Sequence, residues 1–505
     1  MNYYLSSSKS IPERKCDIIV LFPDSWDDWF TFSTLYTVYY YNENREKKHI
    51  GSIKVGQVEM SSGQRRPNLP DSFERLPSDF FSVGQDVSYY EVLNEYGDEF
   101  RDTILIGLND ISYDPTIYEY AIKESVTKIS LLRSVSITSV EGQFRRLAQG
   151  NALLTSYNFR YHAPRHVKSQ TGRMILDFNV IPDSNPPTNI HVIIGRNGVG
   201  KTYLFNNMIA TLLNENRITS KNGYFSNTGN SDSLFANLVS VSFSAFDESN
   251  PITEKRDKTK YLNYSYIGLK RAEKENEKLP PKSPTILKNE FVKSVERCRL
   301  GSKNRRWLKA LEILEADPIF REAEVAKIAR LTLDEEFKEL ASTTFNRLSS
   351  GHKIVLLTIT RLVETIEERS LVLLDEPEGY LHPPLLSAFI RALSDLLINR
   401  NAVAIIGTHS PVVLQEIPKS CVWKLRRYGA NAIAERLEIE SFGENVGLLT
   451  QEIFGLEVTE SGFHKMLQSL AIKADSYEEA ISLLNNQLGL EGRVILRNLL
   501  YHEKN

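Results

Sequence analysis

The chain has 505 residues, 41% hydrophobic and 25% charged, a globular balance that excludes wholesale disorder, a collagen and a coiled-coil-only rod. Its 61 Lys and Arg against 64 Asp and Glu leave a formal net charge of −3, so this is no globally basic coat for nucleic acid, and any such contact has to come from a local patch. Cys16, Cys298 and Cys421 lie far apart and offer neither a metal spacing nor a disulfide framework, which suits a reducing cytoplasm. Residues 1–15 lack the apolar core of a signal peptide, and no apolar run approaches the ~20 residues of a membrane helix. The expectation is a cytoplasmic protein without membrane contact.

In chain order, the first 190 residues read mainly as strands and turns. Strands are predicted over 17–22, 30–41, 50–58, 102–108 and 174–180, with a Pro-punctuated loop over 61–77 and a break at 182–187. From Asn189 strand and helix alternate, which implies a parallel core sheet with an antiparallel layer added by the N-terminal part. Strands fall at 190–194, 238–243, 371–374 and 402–406; helices fall at 201–213, 308–340, 349–369 and 384–400. Residues 254–310 read as polar, basic helices, 17 Lys and Arg against 7 Asp and Glu, with Pro280–Pro284 separating two of them. The last 60 residues read as short amphipathic helices. Four regions are expected: 1–250, a β lobe with the first nucleotide-binding motif; 251–345, a basic helical insertion; 346–435, the remaining motifs; and 436–505, a helical tail.

Gly195-Arg196-Asn197-Gly198-Val199-Gly200-Lys201-Thr202, followed by Tyr203, fits the phosphate-cradling pattern G-x-x-x-x-G-K-[ST] between a strand and a helix. Glycines let the backbone wrap close, so that successive N–H groups and a helix N-terminus face phosphate oxygens. Lys201 adds a positive charge for the outer phosphates, and the Thr202 hydroxyl can ligate Mg2+. The apolar run Leu371–Leu374 ends in Asp375 and Glu376. Two acids at the tip of a buried strand are costly unless they do chemistry: Asp375 can hold Mg2+, and Glu376 can polarise an attacking water. Ser349-Ser350-Gly351-His352 opens a helix, as an N-cap or as a second phosphate station. His409 ends the next strand, where a γ-phosphate sensor can stand.

In this order the four motifs resemble the ABC-class ATPases: Walker A at 195–202, the signature at 348–353, Walker B with its catalytic glutamate at 371–377 and the H-loop at 407–411. The Asp375–Pro383 form and the long helical insertion are more similar to the soluble branch of repair, SMC-like and OLD-type ATPases. Overall layout resembles the PtuA ATPases of Septu and retron anti-phage systems. The resemblance implies ATP and Mg2+ as cofactors and a homodimer, or a higher homo-oligomer, closing head to tail. Ser349, Ser350 and Gly351 would then act across the dimer, and Thr202, Asp375, Glu376 and His409 within one head. It also implies a separate HNH-type nuclease as partner.

Two departures stand out. The signature carries Ser350 and His352 where Gly and Gln are common, and the segment after the second core strand has no Gln, leaving Ser244 or Asp247 as substitutes. The basic segment 254–310, interleaved with Tyr261, Tyr264, Tyr266 and Trp307, is the one place with a footprint for nucleic acid, though a solvated helical arm is the favoured reading and a protein-docking arm the third. No nuclease motif and no metal spacing is found. Three functions remain open: a regulatory ATPase controlling a nuclease, a DNA-clamping repair ATPase, and an ATP-dependent scaffold with little turnover.

Overall fold

In the computed structural model the described residues are 1–6, 16–24, 32–60, 63–150, 156–165, 169, 171–182, 184–213, 222–227, 234–243, 262–271, 280–299, 301–331, 334–455 and 462–503. Three sheets organise them. The N-terminal sheet comprises β1 (Asn2–Leu5), β2 (Ile18–Pro23), β3 (Leu35–Tyr41), β4 (Lys47–Gln57), β5 (Ser72–Phe73) and β6 (Phe80–Gly84), in the order β5-β1-β2-β3-β4-β6. Its pairings are antiparallel except β1–β2.

The rest of this unit corrects the strand-and-turn expectation. Helices occupy Val87–Glu95, Asp98–Gly107 and Pro115–Ala121, and further helical turns run to Ala148. Residues 102–108, expected as a strand, lie in the second of these. Arg101, Ile104, Leu105 and Leu108 are buried while Ile106 faces out, a spacing of three and four that a short apolar run does not reveal by itself. Sheet and helices share one core from Tyr3 to Ala148, separate from the cores that follow. The expected region 1–250 is therefore divided near residue 150.

Asp110 lies at the centre of that unit. It accepts hydrogen bonds from the Tyr90 hydroxyl (2.9 Å) and the Ser112 N–H (2.8 Å), yet complete burial pushes its carboxyl up to about 7. The folded state thus holds a proton that the unfolded chain gives up near pH 4. This contribution is fully present below that pH and is lost as pH rises through about 7. Stability is expected to fall between about pH 4 and 7, by up to several kcal/mol, with thermal unfolding moving down over that range. Asp110→Asn should flatten the profile, as followed by calorimetry across pH.

The core sheet has the order β12-β11-β13-β14-β9-β15-β16, with β9 (Ile190–Ile194), β11 (Asn237–Ser242), β12 (Asn263–Gly268), β13 (Leu371–Asp375), β14 (Val403–Thr408), β15 (Val422–Tyr428) and β16 (Asn431–Glu435). All its neighbours are parallel except the β15–β16 edge pair. Strands β9, β11, β13 and β14 are buried along their whole length, as continuous apolar runs in a two-sided parallel sheet should be. A third, antiparallel sheet, β10 (Tyr224–Asn227), β7 (Tyr157–His162) and β8 (Ile175–Val180), covers the helix Lys201–Leu213. The fold is thus mixed α/β with a mostly parallel core sheet, as expected.

The described residues of 251–345 are not solely an appended helical insertion. They contribute β12 to the core sheet, and Phe291, Val295, Trp307, Leu311 and Phe337 to its main core. Strand β12 (Asn-Tyr-Ser-Tyr-Ile-Gly) was hidden by polarity, and it precedes the prolines where a helix was expected. The predicted helix 308–340 is broken into Gly301–Leu314, Pro318–Glu322, Lys327–Arg330 and Asp334–Arg347, because Pro318 cannot continue a helix and Asp317 caps a new one.

Several of the described basic residues here are matched by acids. Lys303 pairs with Asp86 (2.8 Å), Arg306 with Glu91 (3.2 Å), Arg305 with Glu95 and Lys309 with Asp395 (2.5 Å). Three of these pairs join the N-terminal unit to the core-sheet unit, where Arg146–Glu368 adds a fourth. Trp307 and Tyr264 are buried, so neither offers a stacking face; Tyr261 lies outside the described residues, as do Ser244 and Asp247. The tail 462–503 forms its own small core around Leu467, Ala480 and Leu496. Among the described residues no helix is long and apolar enough to cross a membrane.

Candidate nucleotide site

The carboxyl ends of β9, β14 and β13 lie side by side, the general position for a ligand on an open parallel sheet. Register sets them level: Asp375 opposes Gly407, Gly407 opposes Ile193 and Thr408 opposes Ile194. The turn after β9 needs its glycines. Gly198 and Gly200 have φ of 82° and 103°, and a Cβ on Gly195 would stand 2.7 Å from the Leu425 carbonyl. Arg196, Asn197 and Gly198 are exposed at the tip, and Val199 turns inward. The helix beginning at Lys201 is anchored by Leu204, Phe205 and Met208 against the sheet, while Tyr203 points out, 64% exposed.

Lys201 is buried, and its ammonium donates to the carbonyls of Gly195 (2.9 Å) and Arg196 (3.3 Å). It also lies 3.5 Å from a Glu376 oxygen. Thr202 Oγ1 donates to Asp375 Oδ2 at 2.6 Å, so the predicted hydroxyl and carboxylate ligands meet across 173 residues. This oxygen-only donor pair fits Mg2+. Glu376 stands in the left-handed region (φ 46°, ψ 57°), strain of about 1–3 kcal/mol that the buried strand imposes at the predicted catalytic position. His409 Nδ1 is 3.6 Å from Glu376 and 3.2 Å from Glu378.

Two contributors were not singled out from the sequence. Glu378 Oε1 accepts from both Thr408 Oγ1 (2.5 Å) and the His409 N–H (2.9 Å), fixing the His409 turn. The signal was the third acid of Asp375-Glu376-Pro377-Glu378. Arg427 on β15 approaches the phosphate turn: a Cβ on Gly200 would meet its guanidinium at 3.8 Å. Arg196, Arg427, Tyr428 and Phe454 line a cavity of about 340 Å³ beside the turn. A larger cavity, about 840 Å³, lies instead along the seam with the N-terminal unit, lined by Lys54, Arg133 and Arg400 among others.

Ser349, Ser350 and Gly351 form a second station at the start of the helix Ser350–Thr365. Ser349 is the N-cap, and its hydroxyl contacts His352 Nδ1 at 2.7 Å. Gly351 has a reason to be glycine within one chain, since a Cβ there would stand 2.4 Å from the Tyr380 carbonyl in the turn after β13. That contact joins the signature helix to the Walker B turn.

A glycine-rich turn after a parallel strand, a lysine and threonine inside it, and an acid pair two strands away define a P-loop ATPase head of the AAA/ABC type. The family model described as "AAA domain, putative AbiEii toxin, Type IV TA system" matches residues 213–415. The chain belongs to the family of protein ea59 of Escherichia phage lambda, with which it is 40% identical over 517 residues, spanning 97% of this chain and 96% of that one. Solved structures with partial similarity include cbiO1 of Clostridium perfringens, part of an ABC transporter complex (13% identity, TM-score 0.31, 60% of this chain and 95% of that one). Another is the ADP form of MJ1267, an ATP-binding cassette (13%, 0.28, 61% and 100%).

Proposed function

We propose that this protein binds ATP with Mg2+, closes as a head-to-tail homodimer around it, and hydrolyses it as a molecular switch. The observation that carries the reading is the convergence of Lys201, Thr202, Asp375 and Glu376 at one sheet edge. In this reading the exposed N–H groups of the turn hold the triphosphate, and Lys201 leaves its carbonyls for the outer phosphates. Thr202 and Asp375 hold Mg2+, which when bound neutralises the developing phosphate charge. Glu376, released from Lys201, orients and deprotonates the attacking water, while His409, fixed by Glu378, senses the γ-phosphate. The cavity beside Tyr428 takes the base.

Ser349 to Gly351 complete the site of a second copy, so ATP acts as a charged adhesive between two heads and hydrolysis removes it. The partner controlled by the switch is, by resemblance, an HNH-type nuclease of an anti-phage complex; the phage-encoded relative supports a place in phage–host conflict. A direct clamp on DNA through 254–310 is less supported, because several of the described cations there pair with acids.

Sedimentation velocity tests the switch. ATP should convert monomer to dimer, and Ser349→Arg should block the dimer while nucleotide still binds. A mass indifferent to ATP, or an unimpaired dimer of the Ser349→Arg protein, overturns the reading.

A further inference from the structure

Asp317, His352 and His382 are far apart in sequence, yet three elements bring them together. Asp317 caps the helix Pro318–Glu322, His352 lies in the first turn of Ser350–Thr365, and His382 caps Pro383–Asn399. His352 Nε2 is 3.0 Å from Asp317 Oδ1, and His382 Nε2 is 3.9 Å from Asp317 Oδ2. One ligand atom from each residue falls within 4.8 Å of the others. The Asp317 and His352 side chains are 2% and 3% exposed, and that of His382 is 51% exposed. Two groups are thus fixed in the interior, and the third forms the mouth.

A buried His–Asp pair that merely braces the signature helix accounts for His352 and Asp317. It does not account for a second imidazole converging on the other carboxylate oxygen. We propose that these three residues bind a divalent transition metal of the Zn2+ class. Imidazole and carboxylate bind Zn2+ at about 2.0–2.2 Å, so a tetrahedron spaces its donors roughly 3.3 Å apart, and donors already within 4.8 Å of one another reach that spacing by side-chain adjustment. Three protein ligands leave one position open, towards the side where His382 is exposed.

The site reaches the signature serine through the far side of His352, whose Nδ1 is 2.7 Å from Ser349 Oγ. Without metal, the His352 Nε2–H donates a hydrogen bond to the Asp317 carboxylate, so Nδ1 accepts and the Ser349 proton is turned inward. With metal on Nε2, the ring's one proton moves through solvent to Nδ1, which then donates to Ser349 Oγ. The hydroxyl proton is freed to point outward, towards a phosphate. This coupling rests on the assignment of Ser349 to a γ-phosphate; the metal site does not. On His382, ligation through Nε2 places the proton on Nδ1 and gives up a long cap bond from the Leu385 N–H (3.3 Å).

The test is equilibrium dialysis of the full-length protein against Co2+, without nucleotide and with excess Mg2+ to fill hard-oxygen sites, together with visible spectroscopy. One equivalent of Co2+ with tetrahedral d–d absorption, displaced by Zn2+, is expected. His382→Gln, at a half-exposed position that spares folding, should weaken binding at least tenfold, on the order of losing a ligand's support. Absence of Co2+ binding, or binding unchanged in His382→Gln, overturns the site. In a second arm, Zn2+ should strengthen ATP-driven dimerisation of the wild type and not of His382→Gln. Zn2+ binding without that difference overturns the coupling to Ser349 and leaves the nucleotide switch itself standing.

Discussion

Lys201→Ala is expected to weaken nucleotide binding about 100-fold, roughly 3 kcal/mol, the scale of a hydrogen bond to a charged group in a shielded site. The lysine is buried, and in the free protein it spends its donors on the Gly195 and Arg196 carbonyls. Its charge is therefore positioned before ligand arrives, and little reorganisation opposes its transfer to phosphate. Truncation leaves two carbonyls facing the anion without a cation between them. Titration with a fluorescent ATP analogue measures the loss. Nucleotide affinity unchanged by the substitution would sink the Walker A assignment and everything built on it.

Glu376→Gln is expected to lower turnover by about 10²–10⁴-fold, the usual contribution of a positioned general base, and to lengthen the life of the ATP-bound dimer. Glutamine keeps the shape, so the strained backbone at this position is retained while the basic oxygen is lost. Phosphate release and sedimentation on the same sample separate the two effects. Turnover equal to wild type would remove Glu376 from the chemistry. A short-lived dimer despite blocked turnover would mean that hydrolysis does not time its opening.

The parts legible in sequence are those whose physics is local. The phosphate turn is contiguous, because one backbone segment must supply both the N–H groups and the lysine. β9, β13 and β14 announce themselves as apolar runs, since a parallel strand is buried on both faces. What escaped depends on convergence through space. Asp317, His352 and His382 have no ligand spacing, and Arg427 reaches the turn only because β15 pairs with β9. The basic character of 254–310 was real, but its acidic partners on Val87–Glu95 are some 200 residues earlier. Short aromatic-rich helices such as Val87–Glu95 carry too few turns for a clear period.

The 3.5 Å contact between Lys201 and Glu376 makes the empty head its own safety catch. In the proposed cycle, the carboxylate that activates the attacking water is paired with the cation that must leave to meet phosphate, so one arrival both fills the pocket and frees the base. A single ion pair would thus couple occupancy of the pocket to readiness of the base.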